Sequence, residues 1–208
     1  MNMRLSFCLV MICICGCQPV KVARVESDAS RRLQVLPTDR PVFMLETGEM
    51  SFATPAVQAQ FCDVAAGNLS ERGAHVMRLQ NLSQDQKARI ADPRLALLTK
   101  RAILVSTFRD KTPLMPALAG IRQTTGAAYL AFPESSVFVG TAGGWDPNSG
   151  RVWDRTSTTS LKLTVVSLAD GQVVWQNELF IRAAANSEQI MQWTPRLFDP
   201  PGPNGAKQ

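Results

Sequence analysis

Between residues 160 and 183 the chain reads SLKLTVVSLADGQVVWQNELFIRA, and no other stretch limits the fold as much. Leu161, Leu163, Val165 and Ser167 alternate with Lys162, Thr164 and Val166. That two-residue period belongs to a pleated strand and is incompatible with the 3.6-residue period of a helix. Asp170-Gly171 then turns the chain, and Val173, Trp175, Asn177 and Leu179 alternate with their neighbours on the way back. Such a pattern predicts a β-hairpin. A lone hairpin is marginal in water, so the rest of the chain must supply further strands and helices to cover its apolar face.

The upstream sequence supplies them. Val42, Phe43, Met44 and Leu45 form a short apolar run between Pro41 and Gly48, which predicts a strand. Thr54-Pro55 has the form of a helix start, and Val57, Phe61, Val64, Ala65 and Leu69 follow at spacings of three and four until Gly73. HVMRL predicts a second strand, with His75, Met77 and Leu79 on one face and Val76 and Arg78 on the other. Residues 83–108 read as helix with an interruption: Ser83 caps a first piece with Gln86 three residues on, and Pro93 opens a second. A further short helix over 114–125 ends at Gly126 and leads into AAYLAFPESSVFVG, a strand-like segment. Pro133 inside it requires an edge, a bulge or a break.

The N-terminus follows a different logic. Arg4, an apolar run over residues 5–14, then Gly16 and Cys17 give the order of a bacterial secretory signal. The run is too short for the roughly 20 apolar residues that a membrane-spanning helix needs. Four of the five cysteines fall within the first seventeen positions, and Ile14-Cys15-Gly16-Cys17 resembles the lipobox of bacterial lipoproteins. The resemblance implies cleavage before Cys17 and lipid attachment to it. Cys62 is then left without an intramolecular partner, and its small and apolar surroundings predict a buried, inert thiol.

Residues 1–16 are accordingly expected to be a leader, 17–40 a flexible tether able to stand off by about 25 Å, 41–193 a single domain, and 194–208 a disordered Pro- and Gly-rich tail. The charge balance, 22 Lys and Arg against 17 Asp and Glu, is mildly basic. Its basic residues are scattered with no interleaved aromatics, which predicts no nucleic-acid partner.

Catalytic patterns are weak throughout. With a single histidine, multi-His metal sites are excluded, and the strand alternation gives His75 a structural role. No Cys-x-x-Cys pair supports zinc, and the glycines Gly140, Gly143 and Gly144 precede no Lys-Ser/Thr, so neither metal nor cofactor is expected. Glu46 with Glu49, and Asp146 with Asp154, read as exposed turn carboxylates with nothing to tune their acidity.

Gly126-Ala127-Ala128-Tyr129-Leu130 and Asp170-Gly171-Gln172-Val173-Val174-Trp175, together with the lipobox and the strand–helix–strand order, resemble small outer-membrane lipoproteins. These are relatives of the curli secretion lipoprotein and the penicillin-binding-protein activator lipoprotein. The resemblance spans about residues 41–183 and departs at Ala128, where an acid is usual. It implies a membrane attachment through lipid at Cys17, a periplasmic position and an envelope protein partner. Gln18 implies the outer membrane, since Asp after the cysteine retains the resembling enterobacterial lipoproteins at the inner one. The chain lacks amphipathic hairpins long enough for a barrel, which argues against a pore.

The expected fold is mixed α/β (α+β): a three- to five-stranded sheet with helices 54–73 and 93–125 on one face and the C-terminal hairpin extending it. Leu45, Phe61, Val64, Leu69, Met77, Leu97, Ile103, Leu118, Tyr129, Leu163, Val165, Trp175 and Leu179 are expected inside. The expected function is a non-enzymatic accessory to a cell-wall or secretion machine, its oligomeric state left open; the alternative is a periplasmic hydrolase using Asp146 and Asp154. Residues 140–157, a glycine-rich loop or hairpin tip carrying Trp145 and Trp153, offer aromatic anchors to a partner or cap the sheet edge.

Overall fold

A computed structural model describes residues 22–25, 40–46, 54–91, 114–139, 145–146, 151–152, 157–181 and 183–199. In chain order the elements are β1 (Val22–Val25), β2 (Val42–Met44), α1 (Pro55–Glu71), β3 (Val76–Arg78), α2 (Gln84–Ile90), α3 (Met115–Thr125), β4 (Tyr129–Val139), β5 (Trp145–Asp146), β6 (Arg151–Val152), β7 (Ser157–Ser167), β8 (Val173–Ile181) and α4 (Ser187–Trp193). One-turn 3-10 helices follow β3 at Leu79–Asn81 and α4 at Thr194–Leu197.

The helix ends form where local chemistry dictates. Thr54 Oγ1 accepts the Val57 amide at 3.4 Å and Pro55 occupies the first position of α1. At its other end Gly73, with φ of 91°, lets its own amide reach Ser70 C=O at 2.9 Å and the Ala74 amide reach Leu69 C=O at 3.1 Å, a paired closure of orphan carbonyls. Gly126, φ 69°, ends α3 by donating to Arg122 C=O at 2.9 Å. Ser83 and Gln86 make the reciprocal cap expected of α2, with bonds of 3.2 and 2.9 Å.

Strands β8, β7, β4, β2 and β3 form a five-stranded mixed sheet in that order, and β1 adds a sixth strand beside β8. β2 is parallel to both β3 and β4, and the remaining pairs are antiparallel. The C-terminal hairpin β7–β8 is present, with a bulge at Val165/Val166 and a turn closed by Ser167 N–H to Gln172 C=O at 2.8 Å. The mixed α+β class therefore agrees with the sequence.

The placement of helices differs from expectation. Val42, Met44, Ala131, Leu163 and Val165 face α1 and α4, whereas Phe43, Leu130, Phe132 and Val166 face α3 from the opposite side. Helices thus cover both faces of the sheet, not one. The reason lies in the runs Val42-Phe43-Met44 and Leu130-Ala131-Phe132, which are apolar without alternation, as in strands buried on both sides. Of the expected core, Phe61, Leu69, Leu118, Leu163, Val165, Trp175 and Leu179 are buried, Leu45, Val64, Met77 and Tyr129 are half-buried, and Leu97 and Ile103 lie outside the described residues.

Two segments expected to be unstructured take part in the fold. Val22–Val25, inside the expected tether, pairs along β8 with Val22 opposite Ile181 and Val25 opposite Glu178. Thr194–Leu197, at the start of the expected disordered tail, packs on the sheet face that α1 covers. There Leu197 is 0% exposed, its carbonyl accepts Asn177 Nδ2 at 2.6 Å, and Phe198 stacks on Trp175 with centroids 5.6 Å apart. Arg72 covers the other side of that ring at 4.8 Å. Local composition is overridden by these apolar anchors. Leu197→Ala should accordingly cost about 2–5 kcal/mol in urea unfolding, whereas a disordered tail would leave the midpoint unmoved.

Candidate functional site

The polar groups of the sheet fall into three clusters. The first is built on Gln58, which α1 presents to β4. β4 is paired with β2 only from Tyr129 to Ala131, and the last rung there is Leu45 N–H to Ala131 C=O at 3.0 Å. Beyond it Gln58 substitutes for the missing strand: Nε2 donates to Pro133 C=O at 2.7 Å, and Oε1 accepts the Ser135 amide at 2.9 Å and its hydroxyl at 2.5 Å. Pro133, which lacks an N–H, sits on this open side of β4, so the edge alternative expected from the sequence applies. Gln58 was not singled out in the sequence. Its signal is a glutamine on the stripe shared by Val57 and Phe61.

The second cluster joins the C-terminal ends of the parallel strands to α1. Arg78 donates through Nε to Glu46 and through Nη1 to Asp63 at 2.5 Å. These two hydrogen-bonded carboxylates hold the guanidinium protonated well above its ordinary range, with the carboxylate bond to Glu46 as the main cause. Cys62 is buried alongside. Burial foremost, then the Glu46 charge, pushes its thiol up to about 12, which removes it as a nucleophile at neutral pH, as its surroundings in sequence predict.

The third cluster is a lateral row on the sheet face that α3 covers further along: Glu134 on β4, Lys162 on β7 and Glu178 on β8 stand directly opposite one another. Lys162 Nζ lies 3.8 Å from Glu134 Oε2, and Ser160 Oγ donates to Glu178 Oε1 at 2.5 Å. Burial is the largest influence on Glu134 and raises its carboxyl pKa; Lys162 pulls it back and Glu178 raises it further. A one-residue slip of β7 would carry Lys162 to the apolar face of Leu161 and Leu163, so the row fixes register.

The sequence-predicted site residues are not gathered into one place. Trp145 lies in β5 opposite Val152, and Asp146 opposite Arg151, in a two-stranded ladder between β4 and β7. Cys17, Glu49, Gly140, Gly143, Gly144, Trp153 and Asp154 lie outside the described residues. His75 is exposed just before β3 instead of alternating within it, because the strand begins at Val76. Glu46 is an ion-pair partner of Arg78 and not one of a free pair of turn carboxylates. Among the described residues, no group of three or more His, Cys, Asp or Glu side chains is placed to hold a metal ion.

No protein-family model and no curated protein matches the chain. Solved structures similar to it include small bacterial lipoproteins of the kind its motifs resemble. The PelC dodecamer from Paraburkholderia phytofirmans shares 14% identity over 91% of this chain and 99% of that one, with a TM-score of 0.42. The LpoB C-terminal domain from Salmonella enterica shares 11% over 74% and 93%, with a TM-score of 0.37. Lipoprotein GNA1162 from Neisseria meningitidis shares 16% over 75% and 93%, with a TM-score of 0.39. Likeness at this level carries no activity or partner from one chain to another.

Two outcomes follow from the clusters. Gln58→Leu strands a buried carbonyl and a buried amide on β4 and should lower stability by about 2 kcal/mol or more in urea unfolding; an unchanged midpoint would show that the edge does not depend on it. Glu134 has a folded-state pKa above its unfolded one, so the folded protein binds the proton more tightly. Its contribution to stability is therefore highest below the ordinary carboxylate range and falls as pH rises through the raised folded value. Urea unfolding of wild type and Glu134→Gln from pH 4 to 8 should show wild type losing stability relative to the variant with rising pH.

Proposed function

We propose that the chain is a lipid-anchored, non-enzymatic accessory protein of the bacterial envelope. It stands at the periplasmic face of the outer membrane and assists a protein machine that builds cell wall or carries material to the surface. One observation carries the reading: the ordered leader of Arg4, apolar run, Gly16 and Cys17, followed five residues after that cysteine by a strand that joins the sheet. The anchor and the domain are thereby one short connection apart.

The chemistry of the clusters favours an accessory role. Cys62, Arg78, Glu46, Asp63 and Gln58 are committed to contacts within the fold, and groups so committed position backbone and helices. Such a protein acts by presenting surfaces to an envelope protein partner.

The reading is tested by growing cells with a clickable fatty-acid analogue and comparing wild type with Cys17→Ser. Label is expected on wild type and absent from the variant, with wild type in the outer-membrane fraction. Equal label on both, or none on either, would refute the anchor.

A further inference from the structure

The register of the sheet gives the domain a direction relative to its anchor. Val22 stands opposite Ile181, Ile181 opposite Thr159, and Thr159 opposite Val137, so one lateral row contains the start of β1, the end of β8, the start of β7 and the end of β4. The chain before β1, leading back to Cys17, leaves the sheet at this end. So does the connection from Val139 to Ser157, which carries the β5–β6 ladder with Trp145 and, one residue beyond it, Trp153. The Ser167–Val173 turn is at the opposite end, about 33 Å away along β7.

The reaches agree. Five residues from Cys17 to Val22 span at most about 17 Å, and six from Val139 to Trp145 at most about 21 Å. At 4.7–4.9 Å per strand, β7 and β4 lie roughly 10 and 14 Å from β1. A hairpin that leaves the sheet so near a lipid attachment point, with tryptophan at either flank, meets the headgroup region before it meets anything else. Tryptophan is the residue that favours that region, having an apolar body and a polar N–H.

We infer that the end of the sheet at which β1 begins faces the bilayer and that the β5–β6 hairpin is a second, aromatic contact with the lipid surface. The inference rests on the lipid anchor proposed above. It gives the hairpin an occupant, lipid, in place of a protein partner. The opposite end of the sheet, with the Ser167–Val173 turn, is then directed into the periplasm.

Tryptophan quenching tests this. The acylated full-length chain is placed in vesicles of phosphatidylethanolamine and phosphatidylglycerol carrying brominated acyl chains, with fatty acid at Cys17 verified by mass. Quenching of wild type is expected, with most of it lost in the double variant Trp145→Phe/Trp153→Phe. Ala169→Trp, added to that background at an exposed site in the far turn, is expected to stay unquenched. Coincident thermal melts of all three proteins keep the comparison free of folding effects. A quenched Trp at position 169 with an unquenched hairpin would reverse the orientation and overturn the inference. Acylated protein with no quenching at either end would also overturn it and return the hairpin to a protein partner. Absence of fatty acid at Cys17 would instead refute the anchor, and this inference would fall with it.

Discussion

The architecture depends on how β4 is satisfied along its two sides. One side pairs over eleven residues with β7, while the other meets a β2 only three residues long. A strand in that position would expose unpaired backbone groups inside the domain, a cost comparable to a lost hydrogen bond for each group. Gln58 resolves the mismatch by laying a side-chain amide, which has the donor and acceptor of a peptide unit, along the stretch from Pro133 to Ser135. The same contact fixes the azimuth of α1, because Gln58 can reach β4 only when Phe61 and Leu69 face the sheet. Helix, strand edge and core are set together.

From that point the sheet divides along its length. At the β2 end both faces are apolar and both are covered, by α1 and α4 on one side and α3 on the other. Further along, the α1 side stays apolar through Leu161, Leu163 and Leu179, while the other turns charged at Glu134, Lys162 and Glu178. The charged row adds little net stability, since desolvating Glu134 outweighs the pull of Lys162 on its charge. What it contributes is specificity: three strands have one register in which all three charges share a face.

Much of the fold was legible because its causes are local. The hairpin alternation, the Thr54 and Ser83 caps and the Gly73 and Gly126 terminators each act over a few residues, and each operates as the sequence predicts. What was not legible depends on distance. The bonds of Gln58 span 75 and 77 residues, and nothing near position 58 announces Pro133 or Ser135. VARV gives no sign of being a strand until the edge of β8 is present to receive it. Thr194 onward has the composition of a tail, and only Trp175 and Asn177, on another element, turn Leu197 and Phe198 into core. His75 was misplaced by a single residue at a strand boundary, enough to take it from a patterned face to an exposed position.

The unequal strand lengths also give the domain its shape as a device. β2 and β3 are three residues long, whereas β4 and β7 are eleven, so the long pair runs past its parallel neighbours at one end only. Rigidity there comes from antiparallel pairing with β8 and from Gln58, and it makes the long pair a stiff arm with the β5–β6 ladder beyond it. Because β1 starts at that same end, the arm and the N-terminal connection point the same way. A fold whose buried polar groups serve its own strands and helices acts through what its ends present, and here the two ends of the sheet differ.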